Sequence, residues 1–270
     1  MKITAGMDRS GVVKLWDFNT YYAGSRGSET IYDVANARTT DWGRASVHPF
    51  GTGAWRAPGN NTNTFARESQ INIMAFKAGI DPLDFRLKNL KDEKMIRVLK
   101  AAADKFGYTP ARNPSGRGYG IACGTDVGTF VANIAEVKVD KNTGHVQVIR
   151  VACAQDMGLS VNPQGTTIQM EGCITMGMGY ALTEEIQFQG GDIKNHSFDT
   201  YDIPRFSWVP KIDTVIIDRK DQPPAGGGEP AIICMGAVIA NAVFDGTGAR
   251  LYQLPMTPER ILAAINQVSK

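Results

Sequence analysis

The sequence predicts an α+β fold in which mixed sheets carry packed helices. Three observations point there. Runs of alternating apolar and polar residues, closed by turn residues, recur as hairpins. Amphipathic stretches with start and stop signals lie between them. The two kinds do not alternate regularly, as a parallel sheet built from βαβ units would require. With 270 residues, 43% of them hydrophobic and 21% charged, the chain can bury a sizeable core.

The opening "MKITAGMDRSGVVKLWDFNTYYAG" alternates on both sides of Asp8-Arg9-Ser10-Gly11 and reads as a hairpin. From Arg38 to Asn63 the chain is rich in Gly, Thr, Pro and Trp and has no period, so a long loop is expected. "NTFARESQINIMAFKAG" then reads as a helix ending at Gly79, and Asp81-Pro82 restarts one with an acidic first turn at Asp84. "KMIRVLKAAADKFG" places Ile96, Leu99, Ala103 and Phe106 on one stripe and stops at Gly107. The Pro/Gly-rich "YTPARNPSGRGYG" is the best candidate boundary, dividing the chain into regions 1–109 and 110–270.

Beyond it, "TFVANIAEVKVDKNTGHVQVIRVACA" is a hairpin turning at Asn142-Thr143-Gly144. Asn162-Pro163 opens a helix whose Gly172, Gly177 and Gly179 permit close packing. A second hairpin turns at Gly190-Gly191-Asp192. A helix is expected to start at Pro230, and Thr257-Pro258-Glu259 caps a last one.

A formal net charge of +2 and the lack of any dense Lys/Arg run give no footprint for nucleic acid. No uncharged apolar run approaches the roughly 18 residues of a membrane span. "MKITAGMDRSGVV" has no apolar signal core, so the chain by itself reads as cytoplasmic. Cys123, Cys153, Cys173 and Cys234 stand far apart and the three histidines are isolated. Zinc and iron–sulfur sites show closer spacing, so buried thiols are expected.

The chemistry concentrates in "PPAGGGEPAIICMGAVIANA", where Glu229 stands between Gly226-Gly227-Gly228 and Pro230. Two readings stay open. A carboxylate there suits a helix N-terminus, and it equally suits a general base at a glycine-lined site where a ligand comes close to the backbone. "GTGAWRAPGNNTNTFARE" is a tight loop carrying Arg56 before a helix start, a geometry suited to anions, without the Lys-Ser/Thr of a nucleotide loop. Gln169 and Glu171 lie in a helix rich in small residues, where Gln169 can cap a buried carbonyl. Asp126 and Asp156 sit in glycine-flanked turns, where aspartate is ordinary turn chemistry.

The segments "WRAPG", "AGIDPLDFRLKNL", "GRGYGIA", "VANIAEVKVDKNTGHVQVIRVACAQDMGLSVNPQGTTIQMEG", "TYDIPR" and "GGGEPAIICMGAVIANAVFDGTGARL" occur together in an order that resembles the molybdenum-binding subunit of the xanthine oxidase/aldehyde oxidase family. Within that family the likeness is greatest to the branch of the isoquinoline 1-oxidoreductase beta chain, and it spans nearly the whole sequence. It implies a molybdopterin-binding fold and a molybdenum hydroxylase that oxidises an aldehyde or N-heterocycle with water as oxygen donor. The cofactor, often the cytosine dinucleotide form, is held mainly by loops, and its own dithiolene holds the metal. Gly226, Gly227, Gly228 and Glu229 match the family's G-x-G-E motif, which makes Glu229 the base. Arg56, Ala57 and Gly59 match the cofactor-contacting R-x-x-G loop, and Gln169 matches a glutamine on the pterin side.

Two departures are visible: Gly227 replaces the usual small apolar residue, and a second proline after Glu229 is missing. Both are expected to loosen the loop. The earlier E-M-G-Q-G motif is not in this chain, so the resemblance implies a partner chain or further segment supplying the N-terminal half. It also implies a separate subunit with two-iron–two-sulfur clusters, and a periplasmic location where the complex is exported. A non-catalytic structural or assembly subunit, or a small-molecule binding module, are the alternatives of another class.

Overall fold

The computed structural model describes residues 1–43, 53–110 and 117–268. It begins with the expected hairpin, β1 (Lys2–Met7) and β2 (Val13–Thr20), antiparallel about the Asp8 turn. The Asp8 carboxylate accepts the Ser10 and Val12 N–H groups and so fixes that turn. A third strand, β3 (Asn36–Asp41), adds parallel to β2. This corrects the long-loop expectation over 38–63 at its start. The strand is a mostly exposed edge of Asn, Arg, Thr and Asp, so no apolar alternation marks it. Residues 44–52 of that loop lie outside the described residues.

Three helices follow: α1 (Asn60–Ala78), α2 (Pro82–Asn89) and α3 (Glu93–Phe106). Gly79 and Gly107 end α1 and α3 in the left-handed conformation, at φ 67° and 66°. Asp81 and Asp92 cap α2 and α3 through side-chain bonds to the next N–H groups. On α3 the buried stripe is Met95, Val98, Leu99, Ala102, Ala103 and Phe106, with the expected Ile96 at its margin.

The central sheet has the order β4-β5-β6-β9, with β4 (Arg117–Asp126), β5 (Thr129–Val139), β6 (Val146–Asp156) and β9 (Lys211–Ile216). Strands β4, β5 and β6 are antiparallel, and β9 pairs parallel to β6. Residues 111–116 of the Pro/Gly-rich connector lie outside the described residues, and its last four residues already belong to β4. Period-two alternation divides the strands between two cores. Ile121, Cys123, Ala132, Ile134, Ala152 and Ala154 face α1, α2, α3 and β2. Ala122, Val131, Ala135, Val151 and Cys153 face the opposite core.

That second core holds α4 (Pro163–Leu182), α5 (Met235–Thr247) and α6 (Pro258–Val268). Between α4 and β9 lies the small hairpin β7 (Phe188–Gln189) and β8 (Asp192–Ile193). Of the α4 glycines, Gly177 meets Met235 and Gly179 meets Glu184 and Pro204, whereas Gly172 has open space. The helix expected from Pro230 starts later. Pro230–Ile232 is one 3-10 turn, and α5 begins at Met235. Pro230–Thr247 is long and apolar enough to cross a membrane by length and composition, yet 83% of it is buried inside the fold.

Candidate active site

One end of the central sheet gathers the segments that the sequence singled out. β4 ends there at Asp126, β5 starts at Thr129 and β6 ends at Asp156. Val127 and Gly128 make the two-residue turn between β4 and β5, both with positive φ, at 45° and 82°. Hairpin turns of two residues demand that backbone, but a β-branched residue is a poor occupant of it. The strained turn carries a contact: the Gly226 N–H donates to the Val127 carbonyl at 3.2 Å.

The glycine loop is held from four sides. The Ala225 N–H donates to the Met157 carbonyl at 2.7 Å. The Thr129 hydroxyl donates to the Gly226 carbonyl at 2.7 Å. Gln169 Nε2 donates to the Gly228 carbonyl at 2.6 Å, and Cys173 Sγ reaches the same oxygen at 3.3 Å. These bonds hold the loop on both sides of Gly227. A Cβ at Gly226 would lie 2.3 Å from Val127 Cγ2, whereas Gly228 has nothing within 4 Å of that position and is exposed. The loop is tight behind and open in front.

The second loop, Trp55 to Gly59, meets the first at Glu229. Ala57 is buried with φ 52°, in the left-handed region and just before Pro58, where extended backbone is normal. That turn aims the Ala57 N–H at Glu229 Oε1, 2.8 Å away. Gly59 has φ 76°, and a Cβ there would stand 2.3 Å from the Ala23 carbonyl oxygen. No other residue fits that close approach. Asn61 Nδ2 donates to the Arg56 carbonyl at 2.7 Å and closes the loop onto α1. The Trp55 ring meets Tyr180 of α4 edge-on at 5.5 Å.

Glu229 makes no helix-capping bond with its side chain, and the 3-10 turn after it is too short to present a substantial dipole. Its second oxygen, Oε2, accepts from Arg26 Nη2 at 2.6 Å. Arg26 is anchored to Asp126 by two parallel bonds of 2.8 Å. The Ala57 N–H first, then the Arg26 guanidinium, hold the Glu229 carboxyl below the usual glutamate range, against the opposing effect of burial. The carboxylate is ionised, one-third exposed, and at the mouth of the glycine loop. A cavity of about 440 Å³ adjoins Arg26, lined also by Asn60, Thr125, Asp126, Val127 and Gly128.

Arg56 reaches Cys173 of α4, where Nη1 lies 3.9 Å from Sγ. Burial pushes the Cys173 thiol up, so it faces Arg56 as a neutral group. Among the described residues the thiol is the only hydrogen-bond partner of that guanidinium, whose planar set of N–H donors suits an anion. Glu229, Arg56, Ala57, Gly59, Gln169, Gly226, Gly227 and Gly228 thus share one locale. Asp156 instead caps the Gly158 N–H at 3.2 Å, as ordinary turn chemistry. Among the described residues no group of three His, Cys, Asp or Glu side chains could hold a metal ion. A group that brings its own metal ligands and presents an anionic part to Arg56 fits this glycine-faced cradle.

Sequence reasoning missed Arg26 and Asn60 and treated Asp126 as turn chemistry. A single arginine in the small-residue run "AGSRGS" was the available signal for Arg26.

Residues 1–90 and residues 101–210 each match a family described as a molybdopterin cofactor-binding domain. The chain is 32% identical to a nicotinate dehydrogenase subunit of Pseudomonas putida, over 98% of this chain and 26% of that protein. It is 32% identical to the beta chain of isoquinoline 1-oxidoreductase from Brevundimonas diminuta, over 72% of this chain and 25% of that one. The chain therefore spans about a quarter of the length of these curated relatives. The fold is that of aldehyde oxidoreductase from Desulfovibrio gigas, with a TM-score of 0.78 at 19% identity over 98% of this chain and 48% of that one. Quinoline 2-oxidoreductase from Pseudomonas putida gives 0.81 at 13% identity, over 97% and 61%.

Proposed function

Because the chain belongs to the molybdenum-binding subunits of the xanthine oxidase/aldehyde oxidase family, we propose that it forms the part of a molybdenum hydroxylase large subunit that carries the proton acceptor and one wall of the cofactor site. Regions 1–109 and 110–270 act as two parts of one cofactor-binding unit. The observation that carries this reading is the meeting of two glycine-bearing loops at one ionised carboxylate, with the Ala57 N–H aimed at Glu229.

Arg56 would hold the anionic part of a molybdopterin, with Gln169 and the Gly226–Gly228 backbone beside it at the Cys173 thiol. The cofactor, which we propose to be the cytosine dinucleotide form, supplies two-electron oxidation of a substrate carbon with oxygen from water. Glu229 takes up the proton released as that oxygen is transferred. It is suited to the task because it is charged before the reaction and keeps one oxygen fixed by a rigid backbone donor. The open face at Gly228 admits the reacting groups. The substrate is an aldehyde or an electron-poor N-heterocycle, and the names of the two curated relatives, both oxidoreductases of heterocycles, support the second. A further large-subunit portion supplies the rest of the pocket, and a two-iron–two-sulfur subunit takes the electrons.

One observation favours a second reading. Both Glu229 oxygens already have partners within the chain, which also suits a purely structural carboxylate in a non-catalytic subunit. Metal and pterin analysis of the purified complex containing this chain separates the two. The catalytic reading expects about one molybdenum and one pterin for each copy. A correctly assembled complex free of both would leave only the structural reading.

A further inference from the structure

We propose that Arg26 is a positioning residue for Glu229: a guanidinium aimed by the buried Asp126 and Asn60, which holds the carboxylate through its second oxygen. The inference rests on the reading of Glu229 as the base, and adds to it a residue from a segment that none of the matched loop motifs includes.

The aim comes from a chain of bonds that starts in the core. Thr64 Oγ1 donates to Asn60 Oδ1 at 2.8 Å, on the first turn of α1. Asn60 Nδ2 donates to the Thr125 carbonyl at 3.0 Å and to Asp126 Oδ1 at 2.8 Å. Asp126 is 1% exposed at its side chain and takes Arg26 Nε on Oδ1 and Nη2 on Oδ2. Two parallel bonds fix the plane of a guanidinium as one bond cannot. The backbone of the Arg26 segment is fastened too. Asn63 Nδ2 donates to the carbonyls of Gly24 and Arg26, at 3.0 and 2.9 Å, and Arg67 Nη1 donates to the Gly27 carbonyl at 2.6 Å. From this frame Nη2 reaches Glu229 Oε2.

An ordinary surface ion pair is worth little and is conformationally loose. This one differs because Asp126 is buried: without Arg26 its charge would lack its cationic partner. The guanidinium therefore stays with Asp126, and Glu229 is the partner that can leave and return. Among the described residues, the charged and titratable groups facing Glu229 come from four elements. Arg26 approaches from the segment after β2, Arg56 and the Ala57 N–H from the loop before α1, Cys173 from α4, and Asp126 from β4 behind Arg26. Arg26 and Arg56 both lower the acidity midpoint of Glu229, and the buried thiol is neutral. The Glu229–Arg26 pair is complete above the ordinary glutamate midpoint of 4.5 and is lost as pH falls through the lowered one.

The test uses the complex with its cofactor, as wild type, R26M, R26K and E229Q. The Glu229 carboxyl is titrated by difference infrared spectroscopy, assigned as the band lost in E229Q, and the acid limb of kcat/KM is recorded beside it. An opposite charge at this range lowers a carboxyl midpoint by about 1–3 units, less where solvent screens it. Both midpoints should therefore rise in R26M and by less in R26K, with cofactor content unchanged. An infrared midpoint in R26M equal to that of the wild type overturns the assignment. If R26M fails to accumulate, R26K decides, because its ammonium cannot fork onto Asp126 and reach Glu229 together; an unmoved midpoint there overturns it equally. The two readings fail separately. An active E229Q removes the base, whereas an inactive E229Q with an unmoved R26M midpoint removes only the role of Arg26.

Discussion

Val127 shows how local strain serves the site. It is a β-branched residue at φ 45°, half exposed, and its carbonyl receives the Gly226 N–H. Asparagine tolerates that backbone far better than valine. Val127→Asn should stabilise the fold by an amount on the order of 1 kcal/mol, because little apolar burial is lost. A fall in the unfolding midpoint, followed by thermal melting, would mean that the Val127 methyl contact with Gly226 outweighs the strain. Residue chemistry also sets what was legible in advance. Glu229, its glycines, Arg56 and Gln169 stand inside short local patterns that make them candidates, and the structure brings them together. Arg26, Asn60 and Asp126 form one hydrogen-bonded set only after residues 26 and 126 meet in space, so no spacing in the sequence could announce them.

At the scale of elements, the tightest junction is between β4 and α5. A Cβ on Gly120 would lie 1.9 Å from the Val238 carbonyl oxygen and 2.7 Å from the Ala242 nitrogen, both backbone atoms. Gly118 is equally close to Ala242 and Gly246. The small residues that make α5 look like a featureless apolar run thus set its distance from the sheet. Gly120→Ala should cost at least about 3 kcal/mol, at the upper end of overpacking effects, and soluble accumulation should drop. Gly172→Ala on α4 is the matched control. It meets nothing, and alanine should gain about 0.5–1 kcal/mol in a helix interior. Equal stability of the two variants would contradict this packing. The strand β3 and the late start of α5 were not legible, for opposite reasons. The first has no apolar alternation, and the second lies in so continuous an apolar run that no residue marks where the 3-10 turn ends.

At the scale of the whole molecule, one buried network ties the α1 side of the sheet to the candidate site. Glu68, fully buried, accepts from Tyr32, Arg86 and Arg67. Arg67 in turn donates to the Cys123 carbonyl on β4 and to the Gly27 carbonyl beside Arg26. Asn241 on α5 donates to the Glu68 and Ile121 carbonyls from the opposite core. The two cores and the Arg26 segment are therefore fixed relative to one another by polar bonds as well as by packing, and the site inherits that rigidity. Our proposal gives Glu229, held in this frame, the role of proton acceptor beside a bound molybdopterin. Glu229→Gln in the assembled complex tests it most directly, because the amide keeps the volume and hydrogen-bonding capacity but cannot take the proton. Turnover should fall by at least about 100-fold, about 2.7 kcal/mol of barrier, while molybdenum and pterin content stay at the wild-type level. A variant that holds its cofactor and turns over at near the wild-type rate would exclude Glu229 as the proton acceptor.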